Sequence, residues 1–199
     1  MNEESLMVEA IVSGQTERFE ELVELYKDRI YNMAFRFTAN AHEAQDLTQE
    51  IFITLFKNLC SFKGQSALAT WIYRVSLNRC LDWKRRQKRR PFIFSPKRRE
   101  DVQDMLDKAS KPFDSPEDDY FKREESRELH QAVKSLPEKY QTVIILFHFQ
   151  RLSYQEISHI LELPPRTVET RLYRGKMMLR KALSGQTENG VNSYEAIRS

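Results

Sequence analysis

Leu152-Ser153-Tyr154-Gln155-Glu156-Ile157, followed after a short run by Pro164-Pro165-Arg166-Thr167-Val168-Glu169-Thr170-Arg171-Leu172, is the stretch on which the fold turns. Ser153 and Glu156 have the spacing of a capping box. The serine hydroxyl accepts a backbone N–H at the helix start, and the glutamate carboxylate accepts the serine's own N–H. Ile157, Ile160 and Leu161 give this helix an inward face, and the proline pair must end it. A second helix starts at the prolines, with Val168, Leu172 and Met178 or Leu179 inward. Two helices joined this tightly, over about 153–175, make a helix-turn-helix.

The residues left outside carry the chemistry. Arg166, Thr167, Glu169, Thr170, Arg171, Tyr173, Arg174 and Lys176 lie on or near the outer surface of the second helix. Arginine pairs bidentately with guanine, threonine meets several base edges, and glutamate accepts from the cytosine amino group. From Pro164 to Leu183 there are six basic residues and one acidic one, which favours phosphate. An ordinary helical hairpin with a solvated basic face has the same pattern, so patterning alone leaves both readings standing.

Upstream of this hairpin, Leu129, Val133 and Leu136 lead into Pro137, suited to a first helical position, and Val143, Ile144, Leu146 and Phe147 follow. Further back, Phe19, Leu22, Val23, Tyr26, Ile30, Met33, Ala34 and Phe37 recur at three- and four-residue steps. Ala44, Leu47, Ile51, Leu55 and Leu59 write a second helix, and Asn40-Ala41-His42 supplies the cap and turn between the two. A third helix runs from about Ala67 through Trp71, Val75, Leu77 and Leu81 to Trp83, after a break at Gly64. It ends in Lys84-Arg85-Arg86-Gln87-Lys88-Arg89-Arg90. Cations beside Phe62, Trp71, Tyr73 and Trp83 suit unstacked single-stranded bases, at roughly 1–3 kcal/mol per stacked base. The bland alternative puts the tryptophans in the core, and at least one is expected there. No strand pattern occurs, so the fold class is all-α: two small helical domains joined by a flexible linker, the C-terminal one with a helix-turn-helix.

Charge marks the boundaries. Lys84 to Arg99 holds nine basic residues and no acidic one, whereas Glu100 to Glu128 holds eleven acidic and five basic. Four of the seven prolines lie between 91 and 123. The division expected is therefore an N-terminal domain over 16–90, an acidic, proline-containing linker over 91–123, a C-terminal domain over 124–183 and a loose polar tail over 184–199.

Composition excludes several classes. With 199 residues, 31% charged and 40% hydrophobic, the chain is too apolar for general disorder. No apolar run approaches the roughly 18 residues of a membrane span, and the acidic N-terminus does not read as a secretory signal, so a cytoplasmic protein is expected. Five glycines without GxGxxG or GxxxxGK[ST] leave no nucleotide-binding loop. Cys60 and Cys80 form no CxxC, and one or the other is expected as a small core hydrophobe. His42 and Asp46 are four apart, and His148 and His159 flank the capping box, but none has a third ligand at metal spacing. No nucleophile–base set can be assembled. Neither catalytic residues, nor a metal, nor a cofactor, nor a small-molecule substrate is expected.

The motifs together have a recognisable order. Ala44-Gln45-Asp46-Leu47-Thr48-Gln49-Glu50-Ile51-Phe52 resembles the DAEDLxQExF helix of the extracytoplasmic-function (ECF) group of bacterial RNA polymerase sigma factors. Ala69 to Arg85, with Trp71, Asn78 and Asp82 at the matching places, resembles their second conserved segment. Leu136 to Gln141, Leu152 to Ile157 and Thr167 to Lys176 resemble the segments of their C-terminal domain. The resemblance covers about 16–183. It implies a dissociable promoter-specificity subunit whose partners are core RNA polymerase, promoter DNA and an anti-sigma factor, often anchored in the membrane. It assigns Asp46, Gln49, Glu50 and Phe52 to core polymerase. The loop Ser61–Ala69 and the helix after it, with Phe62, Trp71, Asn78, Arg79, Lys84 and Arg85, fall to recognition and melting of the −10 element. The helix-turn-helix residues fall to the −35 element.

Reach is compatible with this division. About 35 extended residues span at most ~115–125 Å, more than the ~70 Å of two DNA turns. Four positions depart from the family pattern: Arg166 replaces a common glycine, Glu169 a frequent basic residue, and Gly175-Lys176 an alanine–arginine pair. Two rivals remain at this level, a duplex-binding repressor or activator and a polymerase-binding antagonist. The recognition helix makes a direct prediction. Arg171→Ala should weaken promoter binding by roughly 1–3 kcal/mol and relax selectivity at one base position, measurable by competition binding over single-base variants. A uniform loss over all sequences would make Arg171 a phosphate anchor.

Overall fold

The computed structural model describes residues 3–89 and 128–184, and all regular structure among them is helical. The linker expected over 91–123 and the tail beyond residue 184 lie outside the described residues. Helix α1 (Glu3–Val12) precedes the first stretch with helical patterning. It went unread because only Val8 and Ile11 enter the core, too few for a periodic stripe.

Three longer helices build the N-terminal unit. They are α2 (Thr16–Thr38), α3 (Ala41–Asn58) and α4 (Leu68–Arg89), with a 3₁₀ turn at Leu59–Ser61. Ala39 ends α2 in the left-handed region (φ 54°), and its N–H donates to the Phe35 carbonyl at 2.8 Å. Asn40 then caps α3, its Oδ1 accepting the Glu43 N–H at 3.0 Å, as the sequence implies. Leu22, Ile30, Met33, Ala34 and Phe37 of α2 meet Ala44, Leu47, Ile51 and Leu55 of α3, all buried. Helix α4 closes the layer, but not with the face expected of it. Ile72, Tyr73, Ser76, Leu77 and Cys80 are buried, whereas Trp71, Val75, Leu81 and Trp83 are only partly covered. The α-helical turn forces this choice: Ile72, Ser76 and Cys80 share one side, which the Trp71–Val75 row flanks. Neither tryptophan is core. Cys80 fills the core, while Cys60 is exposed.

The C-terminal unit begins with helical residues 128–135, here α5. Pro137 is the cap and not the first helical residue of α6 (Glu138–Ile144), with φ −55° and ψ 139°. From Ile145 to Phe149 the chain widens into a π-helix, an element that apolar patterning does not reveal. The Gln150 N–H donates to the Ile145 carbonyl at 3.1 Å, the longer reach of that winding. Helices α7 (Tyr154–Leu161) and α8 (Pro165–Ser184) form the helix-turn-helix. The capping box is made as read: Ser153 N to Glu156 Oε2 is 2.8 Å, and Glu156 N to Ser153 Oγ is 3.2 Å. Those bonds hold the Glu156 carboxyl below the ordinary carboxylate range. Helix α7 stops at Leu161, ahead of the prolines, because Glu162 turns left-handed (φ 53°). Pro165 opens α8, where its missing N–H costs nothing. Of the two candidates for the inward position, Leu179 is buried and Met178 is exposed.

Gly175 explains how closely α8 lies on α6. A Cβ there would sit 3.0 Å from Ile144 Cγ1 and 3.3 Å from Cδ1, inside a packed core. Gly175→Val should therefore destabilise the protein by roughly 1–3 kcal/mol through overpacking, visible as a lower urea midpoint for the C-terminal unit.

Candidate nucleic-acid and polymerase interfaces

Three surfaces collect the residues singled out in the sequence. On α3, Asp46, Gln49 and Glu50 are exposed and Phe52 is half-buried. Ile53 and Phe56 continue the Asp46–Gln49 row along the same face at helical spacing, 55% and 47% exposed. Phe56 packs edge-on against Phe19, ring centroids 4.9 Å apart, and with Ile53 forms a small apolar patch rather than scattered exposure. The sequence reading missed both, although the i, i+3, i+7, i+10 steps from Asp46 were there to be counted. Glu50 faces elsewhere: its Oε2 accepts from Arg79 at 3.2 Å and from Arg86 at 3.4 Å. It ties α3 to α4.

The second surface is α4 with the loop before it. Phe62 and Trp71 make an edge-to-face contact, ring centroids 5.9 Å apart, so the structure brings these two together. Asn78 is exposed, and Arg79 turns back to Glu50. Lys84 and Arg85 lie a turn or more further on and reach the C-terminal unit: Lys84 Nζ donates to Gln141 Oε1, and Arg85 pairs with Glu138 at 2.9 Å. Partial burial pushes the Lys84 ammonium below its ordinary value, with repulsion from Lys88 next. Arg74, not singled out in the sequence, joins the same seam, 3.0 Å from Glu162 and 2.7 Å from the His159 carbonyl.

The seam continues on α2. Arg36 hydrogen-bonds His130 and lies 3.9 Å from the Phe149 ring centroid, and burial lowers its guanidinium to about 10. Gln150 donates to the Arg29 carbonyl at 3.1 Å, and Lys134 to the Thr38 carbonyl at 2.8 Å. The two units are thus apposed through side-chain hydrogen bonds and ion pairs around Phe149.

On the third surface, α8, Arg166, Thr167, Thr170, Arg171 and Arg174 border an open groove of about 470 Å³ with Pro164, Lys139 and Tyr140. Lys139 and Tyr140 come from α6 and were not singled out for DNA; only the tertiary hairpin sets them beside α8. The Arg174 guanidinium beside Tyr140 holds its hydroxyl below the ordinary tyrosine value. The Thr170 hydroxyl donates to the Arg166 carbonyl at 2.8 Å, leaving its lone pairs for a donor. Glu169, Tyr173 and Lys176 belong to the opposite flank, where Lys176 Nζ lies 5.7 Å from the Phe147 ring centroid. No group of three or more metal-ligating side chains occurs among the described residues, and none of their helices is long and apolar enough to cross a membrane.

The two helical units, one with a cationic helix beside aromatic rings and the other with a helix-turn-helix and a cationic groove, present two separate surfaces suited to a polyanion. Residues 22–90 match the family model for sigma-70 region 2, and residues 126–179 that for sigma-70 region 4. The chain is 35% identical to the ECF RNA polymerase sigma factor SigW of Bacillus subtilis, over 88% of this chain and 94% of the relative. It is 35% identical to the RNA polymerase sigma-H factor of Pseudomonas aeruginosa, over 89% and 92%. The fold is similar to that of CnrH, solved with the cytosolic domain of CnrY, at a TM-score of 0.66 and 18% identity, over 94% of this chain and all of that one. It also resembles the sigma factor RpoE of Bartonella quintana, solved with the anti-sigma factor NepR, at a TM-score of 0.59 and 20% identity, over 84% and 98%. The chain belongs to the ECF RNA polymerase sigma factors, and its function is that of a promoter-specificity subunit.

His148, inside the π-helix, gives this unit a pH dependence. Burial, with repulsion from Lys176 and Arg151, lowers it from 6.5 to about 4, and its Nε2 has no hydrogen-bond partner among the described residues. The folded state resists protonation while the unfolded chain accepts a proton near 6.5. Stability is therefore complete above that value and falls as the pH drops toward 4. Urea midpoints at pH 7.5 and 5.0 should differ for the wild type, and the difference should shrink in His148→Gln.

Proposed function

We propose that the three surfaces divide the work of initiation as the sequence resemblance implies. Asp46, Gln49 and the exposed apolar row of Ile53 and Phe56 bind core RNA polymerase, with Phe52 at the margin and Glu50 contributing through its bridge to α4. Phe62, Trp71, Asn78, Arg79, Lys84 and Arg85 engage the −10 element. Arg166, Thr167, Thr170, Arg171 and Arg174 read or clamp the −35 element, with Lys139 and Tyr140 as added phosphate or sugar contacts and Glu169, Tyr173 and Lys176 on the flank. The observation that carries this reading is the pair of cationic surfaces on separate helical units of one chain. One sits beside aromatic rings, suited to unstacked bases. The other sits on a helix-turn-helix, suited to a major groove.

The apposed arrangement supports a held state. Lys84 donates to the Gln141 amide and Arg85 pairs with Glu138, so both are engaged within the protein in this arrangement. An anti-sigma factor that favours this arrangement would keep the protein off promoters, and release would free both surfaces. The fold similarity to sigma factors solved with such partners supports that partner class. In this reading the protein works in the cytoplasm, and the chemistry of RNA synthesis belongs to the polymerase.

Run-off transcription over a promoter-fragment library, with sigma-free bacterial core polymerase, tests the assignment. Discrete transcripts that depend on the protein and vanish with Arg171→Ala or Asp46→Ala are expected. Core binding without transcripts would favour an antagonist. Duplex binding without core binding would favour a repressor or activator.

A further inference from the structure

Helix α4 is capped from outside itself, by a carboxylate of α1. Ala67 is its N-cap, since the Ala67 carbonyl accepts the Trp71 N–H at 3.2 Å. Its methyl group offers nothing to the unpaired N–H groups of the first turn. The Ser66 hydroxyl is turned the other way and donates to the Ala67 carbonyl at 3.4 Å. The N–H of Leu68, a buried residue, donates instead to Glu4 Oε2 at 3.0 Å, across 64 positions of sequence. A carboxylate there makes a charge-assisted bond at the positive end of the helix dipole.

The same contact places α1 beside the loop that leads into α4. Val8 and Ile11 fix α1 in the core. Glu4, Leu6 and Met7 border an open cavity of about 1080 Å³ whose other wall includes Phe62 and residues 64–67. The loop is tied to α3 at its start, where Ser61 Oγ donates to the Asn58 carbonyl at 2.6 Å, and to α4 by the Phe62–Trp71 ring contact and the Glu4 bond at Leu68. Local sequence does not supply the cap, because the Ala67 side chain has no acceptor.

We propose that Glu4 is a positioning residue for −10 engagement, fixing the loop Ser61–Ala69 on α4 by capping Leu68 and making α1 part of the −10 apparatus. This rests on the reading of that loop as a −10 contact. Glu4 does not meet the DNA; it acts through the first turn of α4.

The test uses the full-length chain with core polymerase. Glu4→Ala should slow open-complex formation about fivefold, the counterpart of a lost cap of ~1 kcal/mol. Core affinity and binding to a −35-only duplex should not change. Hydrogen exchange at the amides of 68–71 should accelerate. Adding Ala67→Asp supplies a local cap, and should restore both exchange protection and opening in the Glu4→Ala background, which a general loss of α1 packing would not allow. Unchanged exchange, unchanged opening, or slow opening that Ala67→Asp leaves slow would each overturn the proposal. Phe62→Ala separates the two levels. If it slows opening while Glu4→Ala does not, only the role of Glu4 fails. If Phe62→Ala leaves opening unchanged, the −10 reading of the loop fails with it.

Discussion

The positive charge of α4 is the constraint on which the rest depends. One face of the helix must be apolar to close the α2–α3 layer, and it is, through Ile72, Tyr73, Leu77 and Cys80. The cations are thereby confined to the remaining surface, and each must find an anion or water. Arg79 and Arg86 share Glu50, Arg85 takes Asp82 and Glu138, and Arg74 takes Glu162. These pairs are exposed or half-exposed, so each contributes modestly and is screened by salt. A polyanion with many phosphates competes well against such partners. Arg74 and Arg85 hold the two units together, while Arg79 and Arg86 tie α4 to α3, and all four pairs are ones a polyanion can displace.

The π-helix is the counterpart on the other side of that seam. Its wider winding sends Phe147 toward Tyr154 and Phe149 toward Arg36, on different sides of the C-terminal unit. A regular α-helix over Ile145–Phe149 would set these rings at a different angle to one another. Local irregularity here is the means by which one segment packs under the helix-turn-helix and also faces α2. His148 lies between the two rings and is kept neutral mainly by its burial there, with repulsion from Lys176 and Arg151 adding to it.

Much of this was legible in the residues. Apolar steps of three and four marked α2 and α3, Asn40 marked the cap between them, and Ser153 with Glu156 marked α7. Those signals are local, and the structure keeps them. The errors share a different cause. Trp71 and Trp83 were weighed as core because large aromatics usually are, but the narrower Ile72–Ser76–Cys80 row packs closer. The polar spacing of α3 drew attention to Glu50 and away from Ile53 and Phe56, whose exposure depends on what does not pack over them. Lys139 and Tyr140 looked like part of a helix start until α8 was laid beside them.

By itself, then, the sequence determined α2, α3, α7 and α8, the Asn40 cap and the Ser153 capping box, and the segregation of charge into basic and acidic blocks, because each follows from residue type at short spacing. Family membership was legible for the same reason, since its motifs are contiguous. Only the tertiary structure decided which cations are already engaged, that Glu50 bridges α3 and α4, that Gly175 is a point of close helix approach, and that α4 borrows its cap from Glu4. Those facts join residues tens of positions apart. A backbone N–H with no local acceptor takes whichever acceptor the packing brings, and spacing along the chain does not record that choice.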